Sequence, residues 1–515
     1  MNRGGAATSL KATALRNAGA NWLAIGTKAL VGLLLAPFIL HRLGDTAFGL
    51  YVLVFAVTGY YGLLDFGIRN SVLHYVARYS ASGEEERFNQ IINSALLCYG
   101  LAVILVLAAT GICAAEFNSI FSVQPAMRTT GKVLLVLAGG GVAAGLPLIV
   151  FGAILEGLQR FYALNTAVVA SVLVRAALVI IALERGGGVV AVTAITVAVA
   201  VLGCLPYVPL VLRSTPLRLG PRYVNRKALR DVVSFSFKVF VISICDKFRF
   251  GIDTVIIGTM LSAAEVTYFA IASKLTSYSR ELVEDLARVL TPMATQFDTR
   301  GEPERLRQVL VLGNRASAVV ALPICAVLVV LGKQVIAAWV GQRYIATSYT
   351  VLVTLIAART VYVSQSASTR LAYGMNRHRP LAWAFGIEGA ATVALSILLA
   401  RPWGIEGVAV GTAIPLLATS LFFLPVFACR LVKLPLARFL REAYAVPLAL
   451  CAPLIATLLA LRRALPGASL LNLGIELCAG GAVYGAAFGW WFATRDSLGI
   501  ALWSRISKRV KGASA

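Results

Sequence analysis

The sequence predicts an all-α integral membrane protein of about 14 transmembrane helices, built as two pseudo-symmetric six-helix bundles followed by a C-terminal helix pair. Composition, the spacing of apolar stretches and an internal repeat lead to that class. Of 515 residues, 59% are hydrophobic and only 14% charged, with a mean hydropathy of +0.81. A soluble chain of this length could not hide so much apolar surface. The repeat is offset by about 217 positions: HRLGDTAFGLYVLVF (His41–Phe55) stands against GTMLSAAEVTYFAIA (Gly258–Ala272), GLQR (Gly157–Arg160) against GMNR (Gly374–Arg377), and Gly187 against Gly404. Paired bundles of this kind are a transporter architecture.

A hydrocarbon core roughly 30 Å thick demands about 20 apolar residues per helix. Stretches of that length fall at 17–40, 47–74, 91–115, 132–157, 162–183 and 189–212, which make an N-terminal lobe of residues 1–212. A basic linker, 213–230, carries Arg213, Arg218, Arg222, Arg226, Lys227 and Arg230. The second lobe, 231–430, holds spans at 232–259, 266–293, 309–331, 347–374, 381–400 and 405–429. Residues 431–515 add spans at 443–461 and 470–492 and a basic tail. Lys and Arg are roughly three times as frequent in the segments on the side of the N-terminus as in those opposite, so both termini are placed in the cytoplasm. The first span then serves as its own insertion signal, since no small-residue cleavage pattern precedes it.

The same partition explains a net charge of +24. The excess sits in short loops facing anionic lipid headgroups, and no zinc-finger, helix-turn-helix or RNA-binding pattern accompanies it, so nucleic acid is not an expected partner. Three histidines far apart, and eight cysteines without C-x-x-C spacing, offer no metal set or disulfide frame. Gly131-Lys132 and Gly332-Lys333 lack the preceding glycine of a phosphate-binding loop, so neither an ATP-driven motor nor an enzyme is expected, and no cofactor.

Charge inside the spans is the remaining signal. Twelve Lys and Arg fall there, and at about 2.5–3.5 kcal/mol for each mid-helix cation they cannot all face lipid. Arg175, Lys238, Arg288, Arg315 and Arg370 are expected to reach the interface along their own stems. Asp246, Arg249 and Asp253 follow one helical face at i, i+3 and i+7 beside Lys247. Asn17, Asn21 and Lys28 form a stripe on the first span. Asp65 and Arg69 read as an i, i+4 pair on the second. Lys274, Glu281, Asp285 and Arg288 run down the eighth. The cluster of Glu281, Glu284, Asp285 and Arg288 reads as helix-locking ion pairs. Lys28, Lys247 and Arg249, where cations outnumber acids, read as lining a wet substrate cavity. Glu388 and Asp253 read either as proton or sodium sites or as partners of Arg359 and Arg249.

The runs RLGDTAFGLYVL, LLDFGIRNSVLHYVAR (Leu63–Arg78), GAILEGLQRFYALN (Gly152–Asn165) and FRFGIDTVIIGTMLSAAEVTYFAIASKL (Phe248–Leu275) resemble the Wzx-type polysaccharide-repeat flippases of the multidrug/oligosaccharidyl-lipid/polysaccharide exporter superfamily. Glu265-Val266 departs from the Gly-rich turn expected in the second copy. The resemblance covers residues 10–430 and implies an inner-membrane flippase that inverts a polyprenyl-pyrophosphate-linked oligosaccharide by alternating access, for exopolysaccharide, capsule or O-antigen (lipopolysaccharide) synthesis. It implies a cationic lumen for the anionic head; with the charges read above, pyrophosphate is expected on Lys28, Arg69, Lys247, Arg249, Lys274 and Arg359, and the saccharide along Tyr60, Tyr61, Asn21 and Gln365. Candidate ion-coupling carboxylates are Asp65, Asp253, Glu281 and Glu388. The expected partners are the lipid-linked substrate, membrane lipids and the polysaccharide polymerase and export machinery, with the flippase itself a monomer. The alternatives are a cation-coupled drug exporter of the MATE type, disfavoured because a cationic drug wants an acidic pocket, and a lipid II flippase.

Overall fold

The computed structural model describes residues 3–495 apart from 466 and 468. The expected basic tail beyond 495, and the side chains of Asn17 and Lys238, lie outside the described residues. All regular structure among the described residues is helical. The chain divides into two compact units, Met1–Ala270 and Ile271–Ala515.

In the first unit, α1 (Arg3–Leu43), α2 (Asp45–Tyr60), α3 (Ile68–Ser82), α4 (Glu85–Ala115), α5 (Arg128–Gly157), α6 (Phe161–Glu184), α7 (Val189–Leu202) and α8 (Tyr207–Ser214) precede α9 (Arg226–Phe250) and α10 (Ile252–Met260). Glu85 and Glu86 in the first turn of α4 complement its N-terminal dipole. Asn225 caps α9, its side chain accepting from Lys227 N at 2.7 Å. The core runs through Ile68, Val72 and Val76 of α3, Ile92, Ala95 and Val106 of α4, and Val150, Ala153 and Ile154 of α5, with Val211 of α8 and Val232 of α9 against it.

The linker is fastened to this core. Asn89 Nδ2 donates to the Pro216 carbonyl (3.1 Å) and Asn89 Oδ1 accepts from Arg218 N (2.6 Å). One turn along, Asn93 repeats the pattern with the Arg218 carbonyl (2.9 Å) and Gly220 N (2.9 Å). Two residues of extended chain rise about 6.6 Å and four helical residues about 6 Å, so amides spaced i, i+4 match alternate peptides.

The boundary between units falls inside α11 (Ala263–Ala287). The N-terminal turns of α11 press on α2: Thr267 Oγ1 donates to the Asp45 carbonyl at 2.7 Å and Tyr268 Oη to Asp45 Oδ2 at 3.3 Å. A Cβ on Gly49 would lie 1.6 Å from the Ala263 carbonyl oxygen, so no larger residue permits this approach.

The second unit continues with α12 (Leu290–Thr299), α13 (Pro303–Val330), α14 (Gly332–Trp339), α15 (Ile345–Ser364), α16 (Ser366–Gly374), α17 (Arg379–Ala418) and α18 (Leu424–Val432). The terminal pair is α19 (Leu436–Ala464) and α20 (Leu470–Arg495). Leu306 and Leu310 of α13, Leu371 of α16, Ala428 and Val432 of α18 and Phe439 of α19 share one cluster.

The repeat extends to backbone detail. Gln159 (φ 58°) and Asn376 (φ 55°) are both left-handed, 217 positions apart. The turns close alike, Arg160 N to the Leu155 carbonyl and Arg377 N to the Ala372 carbonyl, each 2.8 Å. This is the six-to-one bond of a helix-terminating motif with a left-handed residue. Gly83 (φ 72°) and Gly301 (φ 67°) form a second matched pair, with Glu84 N on the Tyr79 carbonyl (3.1 Å) and Glu302 N on the Phe297 carbonyl (2.9 Å).

Several spans expected to be continuous are broken. Phe66 (φ 47°) and Gly67 (φ 80°) end the second span and start α3 as a separate helix. Gly251 separates α9 from α10, residues 288–289 end α11, and Gln365 separates α15 from α16. Among the described residues, eleven helical segments are long and apolar enough to cross a membrane, against the fourteen expected. One, Arg379–Val432, has 54 residues, about 80 Å at 1.5 Å per residue and more than twice a hydrocarbon core. Gly404 (φ 56°, ψ −140°) breaks it near the middle. The helices α9–α10 and α11 are absent from the eleven because they carry the charges of the candidate site.

Candidate functional site

The break at Gly251 gathers charge and aromatic surface in the first unit. Tyr60, at the C-terminus of α2, donates through Oη to the Lys247 carbonyl (3.4 Å), and the Lys247 ammonium stands 5.8 Å from the Tyr60 ring centroid. Phe248 lies 6.5 Å from the same ring. Arg249 is 1% exposed. Its guanidinium reaches Asp246 Oδ1 at 3.5 Å and lies 4.8 Å from the Phe250 ring centroid. Asp253, in the first turn of α10, is buried at 3% exposure. A cation held against an aromatic face and partly neutralised by a carboxylate can exchange those partners for an anionic ligand.

A second group lies where the chain turns from α2 into α3. Tyr61 is buried. Asp65 accepts from Tyr99 Oη and from Arg69 N (3.4 Å), so it caps α3 rather than facing the Arg69 side chain. The expected i, i+4 ion pair does not form, because left-handed Phe66 and Gly67 intervene. Arg69 instead pairs with Glu156 of α5 at 2.6 Å. Glu156 escaped the sequence reading. It stands three residues before the left-handed Gln159, and its counterpart 217 positions on is Tyr373, so the repeat did not point to it. Asn21 and Lys28 are exposed on α1 and make no hydrogen bond or ion pair with these groups.

In the second unit Arg359, 2% exposed, donates through Nη1 to the Ser273 carbonyl (3.1 Å), Thr276 Oγ1 and Ser277 Oγ (3.3 Å), so its guanidinium ties α15 to α11. Gln365 donates to the Ser420 carbonyl and is buried, as is Glu388. Lys274 is exposed with its ammonium 4.9 Å from the Tyr278 ring centroid, and Glu281 is exposed. The acids expected to lock helices together pair locally instead, Glu284 with Arg280 of the same helix (3.2 Å) and Asp285 with Arg288 just beyond it (3.1 Å). Arg315 bonds the Glu442 carbonyl at 2.8 and 2.6 Å. Among the described residues no group of three His, Cys, Asp or Glu side chains could hold a metal.

A family profile described as polysaccharide biosynthesis protein matches residues 14–298, more than half of the chain. The chain belongs to the polysaccharide biosynthesis protein family. The resemblance carried by RLGDTAFGLYVL and its companions is upheld by this match. No curated protein matches this family member in sequence. Its fold is that of solved transporters. The lipid II flippase MurJ in an inward closed conformation aligns at a TM-score of 0.70 and 13% identity, over 91% of this chain and 98% of that one. An inward-facing multidrug resistance MATE family transporter of the MOP superfamily aligns at 0.64 and 16%, over 79% and 94%. A MOP superfamily transporter from Pyrococcus furiosus, described by a binding pocket of reverse polarity, aligns at 0.59 and 15%, over 84% and 96%. This polysaccharide biosynthesis family member is thus a multi-pass membrane protein of the MOP fold.

Proposed function

We propose that the protein is a flippase that carries a polyprenyl-pyrophosphate-linked oligosaccharide across the bacterial inner membrane by alternating access, for exopolysaccharide, capsule or O-antigen assembly. The observation that supports it is the pairing of Lys247 with fully buried Arg249 in a helix of a membrane chain, beside Tyr60, Phe248 and Phe250. A pyrophosphate bearing about two negative charges recruits such donors in a low-dielectric setting, and a guanidinium can meet it with two parallel hydrogen bonds. Lys28 and Lys274 are available to it as exposed cations. Arg69 and Arg359 join only by releasing Glu156 and the Ser273–Ser277 group. Tyr60, Tyr61, Asn21 and Gln365 line the saccharide path, and Asp65, Asp253, Glu281 and Glu388 are the coupling carboxylates. The remaining parts of the proposal are fourteen crossings with both termini cytoplasmic, lobes at 1–212 and 231–430, a monomer, and docking to the polymerase and export machinery.

The MurJ-like fold keeps a lipid II flippase as a second reading. Deletion of the gene separates the two. Loss of surface polysaccharide with an intact wall, and lipid-linked oligosaccharide retained on the inner leaflet, supports the proposal; osmotic lysis with normal polysaccharide supports the second reading.

A further inference from the structure

The terminal pair, α19 and α20, lies outside the repeat and holds a carboxylate that the proposed function does not use. Glu476 is six residues beyond Leu470, the first residue of α20, about 9 Å along its axis. It is 1% exposed, and among the described residues neither carboxylate oxygen has a hydrogen-bond partner. One turn along, Gly480 presses on α19 so closely that a Cβ would stand 2.8 Å from Leu458 Cδ2 and 3.1 Å from Leu454 Cδ1. Another turn along, Tyr484 donates to the Val319 carbonyl of α13 at 2.7 Å. Glu476 therefore belongs to the stripe of α20 that is buried against its neighbours, beside the apolar cluster of Leu454, Leu458, Leu473 and Val330.

The charged groups on the packed elements do not neutralise it by contact. Arg462 of α19 is within electrostatic range, but its Nη1 donates to the Val330 carbonyl at 2.8 Å. Lys333 of α14 stands 5.1 Å from the Tyr349 ring centroid, and Arg315 of α13 is bound to the Glu442 carbonyl. An ionised carboxylate so enclosed is strongly disfavoured. A hard metal cation would want about six oxygen ligands, and no acidic cluster stands with Glu476 among the described residues. A proton needs no further ligand.

We propose that Glu476 is a proton-binding site of the terminal helix pair, discharged when rearrangement during transport admits water or turns Arg462 onto it. The site rests on its own geometry; only its coupling to export rests on the flippase reading. The test uses membranes containing the full-length protein. Dicyclohexylcarbodiimide is apolar and adds across protonated carboxyl groups, the carboxyl oxygen bonding to the carbodiimide carbon and the proton passing to nitrogen, before rearrangement to a stable N-acylurea with no leaving group. Mass spectrometry should find this adduct on the Glu476 peptide at neutral pH, fading as pH rises, and absent in Glu476→Gln. No adduct on Glu476 anywhere from about pH 5 to about pH 9 overturns the site. Glu476→Gln, neutral and of the same shape, should reach wild-type abundance yet export at least about tenfold more slowly, with no pH dependence left, while Glu476→Asp retains part of both. Export by Glu476→Gln at the wild-type rate and pH profile overturns the coupling. If the wild-type gene fails to restore polysaccharide to its own deletion strain, the flippase reading falls, and the labelling alone decides the site.

Discussion

Replacing Arg249 with alanine removes a guanidinium whose side chain is fully enclosed while its partner Asp246 is 54% exposed. At their separation of 3.5 Å, a dielectric near 20 gives an attraction of about 5 kcal/mol. Solvent around Asp246 reduces the net contribution to stability to about 1 kcal/mol. Loss of the pair with Asp246 alone should therefore cost the fold little. The substrate should lose much more: a charge-assisted bidentate contact contributes about 3 kcal/mol, which is about a hundredfold in transport. Arg249→Lys keeps the charge but not the paired geometry and should recover only about half of that energy, leaving a deficit of about tenfold. Export is measured in a deletion strain carrying each variant, with membrane abundance determined in parallel. Normal export by Arg249→Ala at equal abundance would refute the reasoning and make Arg249 a helix-packing ion pair.

Reporter fusions after Arg160, Arg222 and Arg379 should report cytoplasm, and those after Thr46, Gln124 and Val340 periplasm; an outside signal after Arg222 changes the parity of every later span. In a background without native cysteines, Asp45→Cys with Ala263→Cys should cross-link, given the 2.7 Å bond from Thr267 to the Asp45 carbonyl, and block export until reduced; cross-linking that leaves export untouched argues against movement of these turns. Gly49→Ala, whose Cβ would meet the Ala263 carbonyl at 1.6 Å, should lower the Tm by several degrees, a cost of about 1–3 kcal/mol; an unchanged Tm shows that α2 and α11 yield at this contact. Glu156→Gln should keep most export while Arg69→Ala loses about tenfold if Arg69 serves the substrate; equal small losses in both mean that the pair only joins α3 to α5.

The repeat was legible because its landmarks are turns with demanding backbone geometry: GLQR and GMNR end helices at left-handed Gln159 and Asn376. The breaks within spans were less legible. LLDFGIRN falls within a long apolar stretch and holds one glycine, and nothing in it announces that Phe66 is left-handed as well. That error carried into the site, since the i, i+4 rule applied to Asp65 and Arg69 holds only along an unbroken helix. Identity and burial diverge for Arg359 too. An arginine in a span was visible, but the Ser273, Thr276 and Ser277 atoms that receive it come from α11, and only packing brings them there. Lys247 and Arg249 stood out in the sequence because charge in a membrane helix is costly enough to be noticed without coordinates.

The ladder from Asn89 and Asn93 to residues 216–220 also decides where the chain can be divided. By composition the basic linker is the natural place to cut, but a cut ahead of Pro216 would move the linker partners of both buried asparagines into the other fragment, leaving their Nδ2 groups only the Glu85 and Asn89 carbonyls of their own helix. A cut after Gly220 leaves all four of those bonds inside the first fragment. Two co-expressed fragments meeting between 221 and 225 are therefore the pair expected to reassemble, and tags or fused domains belong at the same few residues.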